Sequence, residues 1–157
     1  MWRFHAWIAM TATASIPVLA LAGCSSPGGV VSTGPASQTF TCCSASDINP
    51  VRHPGETVRL HWIATPLDRS ASSQLSTLRL EAGLSGPFPS LSALKAADGP
   101  ATIMAPVVVA TNKVGSAPVS VIRIPMDAPA GYYNLTTMVS QGGGQVSAAS
   151  VITVAAK

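Results

Sequence analysis

Charge is scarce in this chain: nine Lys and Arg and six Asp and Glu make up 10% of 157 residues, against a usual share of roughly 25%. Binding a phosphate backbone requires a clustered basic stripe. Here Arg52, Arg59, Arg69, Arg79, Lys95, Lys113, Arg123 and Lys157 stand singly along the chain, which excludes nucleic acid as a partner. Histidine is also sparse, His53 and His61 being the only two after His5. The chain has no G-x-S-x-G, no H-E-x-x-H, no phosphate loop and no dinucleotide fingerprint, so the expected role is non-catalytic and no cofactor is implied. A hydrolase whose serine, histidine and acid meet only in space stands as a third reading. Long uninterrupted stretches are missing too, since 13 Pro and 13 Gly are spread along the sequence and both punctuate regular helix. What remains is rich in Ala, Ser, Thr, Val and Gly, a composition for strands and turns.

The first 23 residues follow the order of a signal peptide: Arg3 beside the amino terminus, an apolar run from about Trp7 to Ala22, then small residues before Cys24. Leu21-Ala22-Gly23-Cys24 resembles the lipobox of bacterial lipoproteins, an aliphatic residue and two small ones before the cysteine. That resemblance implies a diacylglyceryl group on the Cys24 thiol and cleavage before it, so that acyl chains anchor the mature protein to a membrane. Each buried methylene contributes about 0.8 kcal/mol, and stable anchoring needs more than one chain. An uncleaved transmembrane anchor is disfavoured because the apolar run, about 16 residues long, is interrupted by Thr11, Thr13, Ser15 and Pro17, whereas a span needs roughly 20. Removing the leader leaves 134 residues, enough for one domain and a tether.

Residues 24–38 form the expected tether, too small and polar to bury a core. From 39 to 157 the chain breaks into short β-like runs separated by turn residues. In the run 57–64, Val58, Leu60 and Trp62 share one face and Thr57, Arg59 and His61 the other; in 75–82, Leu78, Leu80 and Ala82 oppose Thr77, Arg79 and Glu81. Further runs cover about 39–43, 103–111, 118–124, 132–140 and 145–155, the last two joined by Gly142-Gly143-Gly144, which suits a hairpin turn. Ser90 is placed to cap a short helix through Ala97, ended by Gly99. The expectation is an all-β sandwich of about seven strands.

The segment from Ile124 through Pro125, Pro129 and Gly131 to Tyr133 resembles the approach to the penultimate strand of bacterial immunoglobulin-like domains. Pro54-Gly55-Glu56-Thr57-Val58-Arg59-Leu60-His61-Trp62 resembles their early strand, with its core tryptophan. Together these cover about residues 45–156. The resemblance implies an immunoglobulin-like β-sandwich in which Trp62 is a core residue and Tyr133 a corner tyrosine whose hydroxyl bonds backbone upstream. The chain departs from antibody-type domains in having no cysteine pair spaced to bridge two sheets, and the architecture by itself carries no function.

Cys42-Cys43 is the one unusual constellation. A vicinal disulfide, buried thiols, bridges to another chain, or a soft-metal site (Cu or Zn) completed by His53 or His61 are all compatible with the sequence, although adjacent cysteines are poor ligand spacing. The leading expectation is a lipid-anchored, extracytoplasmic envelope protein that binds another envelope protein or a cell-wall component; soft-metal binding through Cys42, Cys43 and His53 is the alternative. The Ala-, Gly- and Pro-rich composition is compatible with an actinobacterial source.

Overall fold

The computed structural model describes residues 37–67, 75–97 and 99–156. The leader, Cys24 and the tether through residue 36 lie outside the described residues. Nine strand segments and two short helices follow one another as β1 (Gln38–Thr41), α1 (Ala45–Ile48), β2 (Thr57–His61), β3 (Ile63–Pro66), β4 (Thr77–Phe88), α2 (Leu91–Ala96), β5 (Ile103–Met104), β6 (Val108–Thr111), β7 (Val119–Arg123), β8 (Gly131–Gln141) and β9 (Gly144–Val154). No helix among the described residues is long and apolar enough to cross a membrane. The fold is an open all-β sandwich, as expected, and every ladder between its strands is antiparallel.

The strand count exceeds seven for two local reasons. The run 57–64 divides at Trp62, where the backbone changes partner: β2 pairs with β7, β3 pairs with β1, and the Trp62 amide donates to the Pro118 carbonyl at 3.1 Å. The two segments thus act as one bent strand between β1 and β7. The run 103–111 divides around Pro106, which lacks the amide donor a ladder needs, leaving β5 and β6 as separate short partners of β4.

The second layer runs β5-β4-β8-β9, with β6 also on β4. Alternation sends Val58, Leu60 and Ile122 from one layer and Leu84, Leu135 and Ile152 from the other into a single core, each side chain fully buried. A second cluster joins Phe40, Trp62, Leu78, Leu80 and Ala110. Trp62 is 4% exposed and its indole Nε1–H donates to the Ser120 hydroxyl at 2.9 Å, which satisfies two polar groups inside the core. The Tyr133 ring is buried, and its hydroxyl donates to the Pro129 carbonyl at 2.8 Å; burial holds that phenol above its ordinary pKa.

Local elements follow their residues closely. Gly142 (φ 55°) and Gly143 (φ 88°) form a two-residue turn between β8 and β9, the positive-φ pair that matches strand twist. Ser90 accepts the Ala93 amide at 3.1 Å and caps α2; the helix ends at Ala96, with Ala97 already extended rather than with a glycine cap. β4 is wet on one side only in its first half. From Ala82 to Ser85 both faces are buried, because the chain around Ala101 and Met104 folds over Gly83, where a side chain has no room: a Cβ there stands 2.7 Å from the Ala101 Cβ. β structure begins within the expected tether, at Ser37 and Gln38, both buried, with Gln38 bonded to Asn112 and Ser116.

Candidate interaction site at the open side of the sandwich

Strand β9 is eleven residues long and stands at the end of its sheet. Among the described residues, only its last ones have a hydrogen-bonded neighbour on the outer side: the Arg52 amide donates to the Thr153 carbonyl and the Ala155 amide to the Arg52 carbonyl, both at 2.9 Å. These bonds show which way the backbone points. Thr153 and Ala155 face outward, and a strand's amide and carbonyl directions alternate by residue, so Gln145, Ser147, Ala149 and Val151 also point outward. Their four N–H and four C=O groups form a ladder with no partner among the described residues. The even-numbered residues turn toward β8, as the bond from the Thr137 hydroxyl to the Ala148 carbonyl confirms.

Beside this ladder the sandwich is open. Ile152 and Val154 are buried, yet Val146, on the same face, is 73% exposed, because β1 stops short of covering it. A groove of about 380 Å³ runs between Thr39–Thr41 of β1 and the hairpin arms at Val139, Gln141, Gln145 and Val146. Its walls mix apolar and neutral polar side chains and carry no charge: no Asp, Glu, Lys or Arg occurs between Ala128 and Ala156. On the outer face of the same sheet, Met104 and Met138 line a smaller hollow of about 280 Å³, with Glu81 at its side paired to Arg79 at 3.3 Å.

Cys42 and Cys43 follow β1 directly and are joined to each other as a disulfide across a cis peptide bond. Both are half-buried; Cys42 touches both core clusters and Cys43 the larger. Of the four readings open in the sequence, the vicinal bridge is the one the structure contains. His53 lies in the loop before β2 with its Nδ1 buried and unpartnered. Among the described residues no three His, Cys, Asp or Glu side chains are grouped to hold a metal ion.

His61 is engaged elsewhere. Its amide donates to Asp47 Oδ2 at 2.8 Å and its ring Nδ1 lies 3.0 Å from Asp47 Oδ1. Where β1 leaves the sheet at the cysteines, the His61 amide loses the strand that would have accepted it, and Asp47 of α1 takes that place. Burial is the largest influence on Asp47 and favours its proton, but the His61 amide and ring, together with Ser44, more than offset it and hold the carboxyl below its ordinary pKa. The arrangement is a strand-end cap.

The sequence reading placed His61 on an exposed strand face, where it is, and missed Asp47, whose signal was faint: one acid in a four-residue turn after the cysteines. The open edge had a clearer signal, a long chargeless run after Asp127, which read simply as strand.

No protein-family model and no curated protein matches the chain. One solved structure with some likeness to it is that of a DUF4466 family protein from Parabacteroides merdae, 11% identical, with a TM-score of 0.38, the match covering 75% of this chain and 45% of that one. The chain thus spans less than half of that protein, and nothing is carried over from it.

Proposed function

We propose that this chain is a bacterial envelope lipoprotein, anchored through Cys24 on the extracytoplasmic face of a membrane, whose immunoglobulin-like sandwich is a non-catalytic binding and structural module. The observation that carries the binding role is the ladder of outward amides and carbonyls at Gln145, Ser147, Ala149 and Val151 beside an uncharged groove. An extended backbone laid along that edge would gain main-chain hydrogen bonds, and side chains reaching the groove would supply selectivity. The occupant fitting this chemistry is an uncharged strand from an envelope protein. The lipobox and the leader pattern support the location, and the scattered basic residues speak against a nucleic-acid role.

Intact mass spectrometry of chain extracted from membranes tests the anchor: a mature mass starting at Cys24 and carrying acyl groups is expected, and an unprocessed, unlipidated chain overturns it. A photo-crosslinking residue at Val146 tests the edge in cells producing the full-length chain. Adduct formation is expected and should be lost on Ala149→Pro, which removes an outward N–H without touching the β8 ladder. An adduct indifferent to that change would count against strand addition.

A further inference from the structure

We infer that β9 pairs, antiparallel and across a two-fold axis, with β9 of a second copy of this chain; this rests on the reading of the β9 edge as the binding site and names its occupant. The edges at β5, β6 and β7 carry devices that keep strands from adding to one another. β5 is two residues long and β6 four, with Pro106 between them and Lys113 after β6. β7 lies between Pro118 and Pro125 and exposes Arg123. β9 has no such guard: from Gln145 to Val151 it holds no charge, no proline and no glycine.

The edge is also complementary to itself. With Ala148 of one copy facing Ala148 of the other, Gln145 falls opposite Val151 and Ser147 opposite Ala149, so outward-pointing residues meet outward-pointing residues and every N–H and C=O of the four is used in both copies. Ala148 then forms a central pair without hydrogen bonds, whose α-carbons approach to about 4.5 Å, a spacing alanine admits. Val146, exposed in the single chain, lies beside Ser150 of the other copy on the groove side. No like charges meet anywhere along the contact, and a shared antiparallel edge is an isologous, closed interface. The register ends where it must: Gly144 of one copy falls opposite Ile152 of the other, one residue short of the Arg52 bridge at Thr153.

An Ala148→Cys variant of the full-length chain, in membranes and after detergent extraction, tests this directly under mild oxidation. A covalent dimer is expected at least tenfold faster than from Val109→Cys, another exposed position, on β6, or from the parent chain. Adding Ala149→Pro should abolish it while far-UV circular dichroism and the thermal transition show the sandwich intact. Sedimentation of the parent should show dimer, and Ala148→Lys, which sets two like charges face to face, should give monomer. A148C crosslinking no faster than V109C, with a monomeric parent, overturns the proposal. If the Val146 photo-crosslinker then captures a different polypeptide in an Ala149→Pro-sensitive way, the edge reading stands and self-pairing falls; if it captures nothing, both fall.

Discussion

A carboxylate withdrawn from water ordinarily holds its proton more tightly, and burial does push Asp47 that way; the two hydrogen-bonding groups of His61 and the Ser44 hydroxyl reverse the balance. A native pKa below the ordinary 3.8 means that Asp47 adds stability in full above about pH 3.8, and that this is lost as pH falls below 3.8 and through the lower native value. Asp47→Asn should cost about 1–2 kcal/mol at pH 7, since a charged acceptor is replaced by a neutral one, and should flatten the fall in stability below about pH 3.8 relative to the parent. Urea unfolding at a series of pH values reads both effects; an unchanged acid dependence would place the sensitivity elsewhere. The same residue-scale reasoning applies to Trp62. In Trp62→Phe the Ser120 hydroxyl, fully buried, loses the indole N–H it accepts and a void opens beside it, so a loss of about 2–3 kcal/mol is expected in the urea midpoint.

Among the elements, the β8–β9 hairpin depends on its turn. Gly142 and Gly143 both lie at positive φ, and a side chain there costs about 1–2 kcal/mol through contact with the carbonyl, more for a β-branched residue than for asparagine. Gly143→Val should therefore lower the thermal midpoint and loosen the far end of β9, seen as faster amide exchange from Gln145 to Ala149, whereas Gly142→Asn should leave both nearly unchanged. Gly83 poses the opposite constraint, one of space. A side chain at that position meets Ala101 and Met104, so Gly83→Val should lift β5 off β4 and destabilise the domain by more than a turn substitution does.

For the molecule as a whole, the only disulfide among the described residues closes the shortest loop a chain can form. Loop-closure entropy then yields only about 1 kcal/mol, and the burial of both core clusters carries the fold. A thiol reductant should shift the thermal midpoint by a few degrees and leave a single cooperative transition; loss of cooperativity would show that the bridge holds the two clusters together. Much of this architecture is legible along the chain, because alternation at Val58, Leu60, Leu78 and Leu80 and the glycine turn are short-range signals with a fixed period. The change of partner at Trp62 is not legible there, since the side-chain pattern runs straight through it and only the hydrogen-bonding direction changes.

Local order and composition thus determined the β character, the core-facing residues and the capped helix at Ser90. Tertiary structure alone decided that Asp47 meets His61, that Cys42 and Cys43 are bonded to each other, and that the long, uncharged β9 stands at the end of its sheet. The physical reason is that periodicity reports which face of a strand is apolar, while the partner of each backbone amide depends on residues brought close from far along the chain. For that reason the uncharged run after Asp127 reads as ordinary strand until its outer side is seen to have no hydrogen-bonded neighbour beyond Arg52 among the described residues.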